Sequence, residues 1–226
     1  MTCSETEVSR LFIGVADGQN SHREAKALCP FRQLTTAVNP ENIPHQQIRA
    51  TYDADTIRVY QAFSDAIADA ALARGTFVAP PFKMERMTWI KPSFLWMMYR
   101  AGWGLKDEEQ RRILAIDITR EGFDWALSNS CPSHPGEAMS KEDWAKVKDA
   151  SPVRIQWDPE RDLLLLPMEH RTIQIGLSKD AVRRYANQWI RRISEVTPLA
   201  HEIHALVRQG RFLEAKEKLP IERPLS

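Results

Sequence analysis

Two stretches alternate apolar and polar residues cleanly. In 153–157, Val153, Ile155 and Trp157 fall on one face and Arg154 and Gln156 on the other. In 171–177, Ile173, Ile175 and Leu177 oppose Thr172, Gln174 and Gly176. A period of two predicts half-buried strands. The continuous apolar run 113–118 predicts a fully buried one. Shorter β-branched or aromatic runs at 48–53, 56–63, 76–82 and 86–90 predict further strands, the third broken by Pro80 and Pro81. Helices are expected at 64–75, capped by Ser64 and stopped by Gly75, at 93–102 behind a Ser93 cap, at 119–129 behind Thr119 and at 140–150 behind Ser140. Residues 178–196 predict one long helix capped by Ser178, and 197–219 two more split at Gly210. Residues 107–112 read as a polar turn, 131–139 as a loop and 158–162 as the turn of a hairpin. The pattern predicts an α+β fold: a single domain over 46–226, with helices packed on a mixed or antiparallel sheet and a helical C-terminus. Residues 1–45 are expected to form a partly irregular N-terminal extension.

With 43% apolar residues among 226, the chain can bury one sizeable core. Its net charge of +1 excludes an overall cationic field, so any nucleic-acid contact has to come from a local patch. Cys3, Cys29 and Cys131 are far apart and odd in number, which fits a reducing compartment rather than a disulfide framework. The N-terminal residues show no leader pattern, and no apolar run approaches the roughly 18 residues of a membrane span. A cytoplasmic, soluble protein is expected. The six histidines are scattered, and His201 and His204, at i, i+3, have no accompanying ligand set, so no metal and no cofactor is expected. Sequences matching the phosphate-binding glycine loops or the hydrolase elbow do not occur.

Candidate chemistry comes from polar residues set into apolar elements, where burial costs free energy unless they pair or meet a ligand. The most conspicuous stretch is "MTWIKPSFLWMMYR", 87–100, where Lys91 and Arg100 interrupt an aromatic run. Lys91 shares a strand face with Trp89, and Arg86 lies on the other face. Trp96 and Arg100 lie four apart on the helix. Ser93, at the helix N-terminus, reads as an N-cap or as a nucleophile beside Lys91. Arg49, Tyr52 and Asp53 sit where a strand meets a turn, Asp53 reading equally as an Asx turn. Tyr60 and Gln61 follow in the next strand. Gln156, Asp158, Glu160, Arg171 and Gln174 gather around the 153–177 hairpin. Arg49, Tyr52, Lys91, Ser93, Arg100, Gln156, Glu160 and Gln174 are expected to line one pocket. On the expected long helix, Arg183, Arg184, Arg191 and Arg192 form a basic stripe. It reads as a solvated face or as a contact for an RNA backbone.

The motifs "IRATYD", "TIRVYQAF", "RMTWIKPSFLWMMYRAGW", "ILAIDITREGF", "VRIQWDPERD" and "RTIQIGL" together resemble the family catalogued as domain of unknown function 4291, from about Ile48 onward. Some fungal members of that family are described as arginine-containing cyclodipeptide synthases. The resemblance implies an aminoacyltransferase that takes arginine and a second amino acid from charged tRNAs and joins them as a diketopiperazine. Its partners would be arginyl-tRNA and another aminoacyl-tRNA. Because the ester is already activated, such an enzyme needs no ATP loop. The residues offer matching parts. Ser93, Lys91, Glu160 and Tyr52 are the candidate catalytic groups. Arg49, Asp53, Tyr60, Gln61, Arg86, Trp89, Trp96, Arg100, Gln156, Asp158, Arg171 and Gln174 are candidates for binding substrate, and Arg183, Arg184, Arg191 and Arg192 for binding tRNA. Two other classes fit more loosely: an NAD-dependent ADP-ribosyltransferase, from the order Arg49, Ser93 or Tyr60, Glu160; and a non-catalytic RNA-binding module.

Overall fold

The computed structural model describes residues 43–135 and 139–225, so most of the expected N-terminal extension lies outside the described residues. Among them are seven α-helices and strands in three sheets. β1 (Arg49–Ala50) pairs with β9 (Arg223–Pro224) as a short ribbon. β2 (Thr56–Phe63), β4 (Arg112–Thr119) and β8 (Ile190–Glu195) form an antiparallel sheet with β4 in the middle. β3 (Thr88–Ile90), β5 (Ser130–Pro132), β6 (Val153–Arg161) and β7 (Pro167–Leu177) form a mixed sheet in the order β3-β7-β6-β5, β5 and β6 being parallel. One antiparallel bridge between Tyr60 and Lys91 ties the two larger sheets together. The fold is α+β, as the pattern predicts. No helix among the described residues is long and apolar enough to cross a membrane.

The helices are α1 (Asp65–Arg74), α2 (Phe94–Ala101), α3 (Arg120–Ser128), α4 (Lys141–Ala150), α5 (Asp180–Arg184), α6 (Thr197–Arg208) and α7 (Phe212–Glu217). Their expected caps hold at α2, α3 and α4: the hydroxyls of Ser93, Thr119 and Ser140 accept from Trp96, Gly122 and Asp143 N–H. At α2 the opposite end closes on Gly102, whose φ of 56° suits a residue without Cβ. Ser64 occupies the cap position of α1 without a side-chain bond, and Gly75 ends the helix in the left-handed region. The core lies between the sheets and helices and contains Ile57, Val59, Ile116, Phe123, Ile175 and Tyr185, none more than 1% exposed.

Four expectations are corrected. Residues 178–196 do not form one helix: α5 runs only to Arg184, Tyr185–Trp189 make a π turn, and 190–195 become β8. Helix propensity loses here to the second edge of the buried strand β4, whose backbone groups need partners that β8 supplies. Asp180 follows Lys179 at the helix start, and Ser178 instead donates its hydroxyl to the Pro152 carbonyl. The hairpin turn is not at 158–162. β6 continues through Arg161, and the chain reverses over 162–166, where Asp162 Oδ1 accepts from Leu164 and Leu166 N–H. Pro159 fits within the strand because the pairing shifts register beside it. Residues 76–82 form no strand, since Pro80 and Pro81 carry no N–H for a ladder. Part of the expected 131–139 loop is strand: Cys131 and Pro132 belong to β5, and 136–138 lie outside the described residues.

Candidate functional site

A cavity of about 740 Å³ opens where β2, β3 and α2 meet the β6–β7 hairpin. That volume is in the range of a small-molecule or cofactor pocket. Gln61, Arg86, Trp89, Lys91, Arg100, Gln156 and Gln174 all line it, drawn from five separate elements or their flanks. Gly176 makes room for its aromatic wall. A Cβ there would lie 2.8 Å from the Met87 sulfur and 2.9 Å from the Trp89 ring. Phe82, Met97 and Thr88 add apolar and hydroxyl surface.

Lys91 sits on the floor and is only 6% exposed. Its Nζ donates to the Trp89 carbonyl at 3.1 Å and lies 5.8 Å from the Trp96 ring. Burial, assisted by the neighbouring Arg100 and opposed by Asp158, pushes its pKa down to about 7. Beside it, Gln61 is locked in place: its amide nitrogen donates to Thr88 Oγ1 and the Trp89 carbonyl, and its Oε1 accepts from the buried Tyr185 hydroxyl. On the opposite wall, Gln156 and Gln174 are register partners, and both donate to Asp158, at 2.9 and 2.6 Å. Gln156 Oε1 also accepts from the Ser133 hydroxyl at 3.5 Å, so the Gln174 amide oxygen is the group of this pair left to meet a ligand. Arg86 and Arg100 are exposed on the lining. The pocket thus combines an amine that is partly neutral near pH 7, two guanidinium groups and an indole face.

A second group of candidates meets elsewhere, at the first turn of α2, buried rather than open. The Ser93 hydroxyl donates to Glu160 Oε1 at 2.8 Å while accepting from Trp96 N–H at 3.1 Å. Glu160 also accepts from Arg161 N–H at 2.8 Å. Burial raises the Glu160 carboxyl above its usual range, against the pull of those donors and of Arg49. Ser93 is 1% and Glu160 7% exposed. Tyr60 lies alongside with its hydroxyl unbonded, its ionisation pushed up by burial and by Glu222. Glu222 completes the cluster: its Oε1 accepts from Phe94 N–H at 2.7 Å, and burial lifts its pKa to about 8, with Glu160 adding to the rise. No periodicity flags Glu222 in the sequence, since it stands in a short segment between prolines.

The expected single pocket is therefore two sites. Lys91, Arg100, Gln156 and Gln174 share the cavity; Arg49, Ser93 and Glu160 gather in the closed cluster, and Tyr52 belongs to neither. Tyr52 donates to the Pro224 carbonyl and is flanked by the Arg120 and Arg223 guanidiniums. Asp53 makes an Asx turn, accepting from Asp55 and Thr56 N–H, which lowers its pKa. Trp96 is buried beside Lys91 without reaching the cavity lining. Arg171 spends its guanidinium on the Trp157 carbonyl. The basic stripe dissolves with the long helix. Arg184 pairs with Asp180 and lies over Trp125, Arg192 pairs with Asp117 at 2.8 Å, and Arg191 donates to the Gln188 carbonyl. Arg183 alone of the four is described without a bonded partner here and stands exposed on α5. His204 is half-buried against the Trp103 ring at 5.3 Å, and His201 is exposed.

Residues 47–225 match the family described as domain of unknown function DUF4291, and the chain belongs to that family. Among curated proteins none matches it.

Proposed function

We propose that the pocket receives the aminoacyl-adenosine end of a charged tRNA and that the protein joins arginine to a second amino acid as a cyclic dipeptide. The observation that carries this reading is the Lys91 amine, buried on the floor of an open 740 Å³ pocket with Arg86 and Arg100 on its lining. The reaction class comes from the family the surrounding motifs resemble, some fungal members of which are described as arginine-containing cyclodipeptide synthases.

Each part has a physical role. An α-amine attacking an ester must first lose a proton, and its pKa is ordinarily near 8. A base near 7 is matched to that task at neutral pH, and Lys91 is held near that value. As the C–N bond forms and the ester C–O bond breaks, the electron pair goes to the ribose oxygen. The nitrogen sheds its second proton to solvent, and the Lys91 ammonium returns the first to that oxygen. A second, intramolecular round closes the ring and frees the other tRNA. Arg86 and Arg100 serve as phosphate contacts for the terminal nucleotides, and Trp89 as a stacking face for adenine. This reading leaves Ser93 out of the chemistry because the hydroxyl is shut away from the cavity, at 1% exposed, and direct aminolysis then takes the place of an acyl-serine.

The test is to supply purified protein with arginyl-tRNA and a second charged tRNA and to look for an arginine-containing diketopiperazine by mass spectrometry. Product from wild type and none from Lys91→Met supports the reading. No product from any pair of charged tRNAs overturns it, and release of nicotinamide from NAD in a parallel assay replaces it with ADP-ribosyl transfer.

A further inference from the structure

The closed cluster at the start of α2 is sealed by residues distant in sequence. β9 lies antiparallel on β1, and Leu225 N–H donates to the Ile48 carbonyl at 2.8 Å. Three side chains hold the segment's backbone: Thr51 Oγ1 bonds the Ile221 carbonyl, Arg49 Nη2 the Glu222 carbonyl and the Tyr52 hydroxyl the Pro224 carbonyl, at 2.9, 3.0 and 2.9 Å. Leu225 packs against the core, and Glu222 reaches inward to the first amide of α2. That amide has no partner within its own helix, so Glu222 supplies what the helix geometry leaves open. From the same short helix, Met97 and Arg100 reach the pocket lining, and Lys91 lies three residues before Phe94.

We propose that Glu222 is a positioning residue: through the Phe94 amide it holds α2, and with it Lys91 and Arg100, and the 221–225 segment is a latch that opens as pH rises. The effect on turnover rests on the reading given under Proposed function; the latch itself does not. Facing the Glu222 carboxyl are Glu160 from β6, Arg49 from β1, Tyr60 from β2 and the Phe94 amide of α2. His170 on β7 faces Arg49. Burial and the Glu160 carboxyl disfavour charge on Glu222, whereas the Phe94 amide and Arg49 favour it, and the balance puts its pKa at about 8. The docked segment therefore binds its proton more tightly than a free one would. Docking is complete below the ordinary carboxylate range and weakens as pH climbs through about 8.

Amide hydrogen exchange at Phe94 and Leu225 between about pH 5 and 9.5, corrected for base catalysis, tests this. In wild type, protection at both amides falls by up to about tenfold per pH unit as pH rises toward 8, and levels off above it, where docked and undocked segments are both ionised. In Glu222→Gln the profile is flat, because the side-chain amide oxygen still accepts from Phe94 but does not ionise. Glu222→Ala shows low protection throughout. Identical wild-type and Glu222→Gln profiles overturn the latch. Coupling to the pocket is read by acetic anhydride labelling of Lys91, followed by peptide mass spectrometry. Between about pH 5 and 8 labelling rises in wild type beyond the deprotonation of Lys91 itself and does not in Glu222→Gln. Equal labelling in the two overturns the positioning role. A protein that makes no cyclic dipeptide yet shows both pH breaks refutes only the reaction.

Discussion

Residues 91–94 separate two polar sites that meet burial differently. On one side Lys91 faces an open cavity and carries one hydrogen bond, to the Trp89 carbonyl. On the other, Ser93, Glu160, Arg161 N–H, Phe94 N–H and Glu222 close on one another, and little is left for a ligand. Both sites shift pKa values through burial, Lys91 downward and the two carboxyls upward. A perturbed pKa is thus no guide by itself to which site does chemistry. Access separates them: the open site has exposed guanidiniums on its lining, whereas in the closed site Ser93, Glu160 and Glu222 are hydrogen-bonded and Ser93 and Glu160 are shut from solvent, even though the buried Tyr60 hydroxyl stays unbonded.

The largest effect should come from the open site. Lys91→Met keeps the apolar stem and removes the amine, so dipeptide formation should fall by about a hundredfold or more, the scale of general-base loss, with the fold intact by circular dichroism. In wild type the rate should rise through pH 7 as Lys91 loses its proton and becomes competent as a base. A rate that is flat through pH 7 would remove Lys91 from the role.

Next in size is a stability effect in the closed site. Glu160→Ala leaves the Ser93 hydroxyl and Arg161 N–H without their acceptor and should cost about 1–3 kcal/mol in urea denaturation. Glu160→Gln should cost less, and its advantage should grow as pH rises: the native pKa of Glu160 is raised, so wild type loses stability on ionising it. A Glu160→Gln protein with unchanged stability but no product would return Glu160 to the chemistry and erase the division between the sites. Ser93→Ala removes a cap worth about 1 kcal/mol and should keep most of the activity. Complete loss with tRNA binding preserved would instead mark an acyl-serine. The smallest effect belongs to Arg183→Glu, which should leave both melting temperature and tRNA affinity unchanged. A weaker affinity with a shallower salt dependence would bring RNA to α5.

Much of this site could be read from residue pattern. The strand period in 171–177 put Gln174 on a polar face, and Gln174 lines the cavity. Lys91 and Arg100 stood out within an aromatic run, and both line it too. The Ser93, Thr119 and Ser140 caps were legible because capping is decided within four residues. Division of the candidates into an open and a closed site was not legible. It depends on β9 returning to β1 across more than 170 residues, which puts Glu222 on the Phe94 amide.

The sequence by itself determined the α+β class, the buried strand at 113–118, most helix starts and the residues with chemistry to offer, because periodicity, caps and burial pattern act over a few residues. Only the tertiary structure decided that 190–195 is a strand, that the arginines of 183–192 are largely spent on Asp180, Asp117 and backbone, and that Glu222 matters. Each of those outcomes depends on satisfying a buried backbone edge, carboxylate or amide with a partner far along the chain, and no local pattern encodes such a partner.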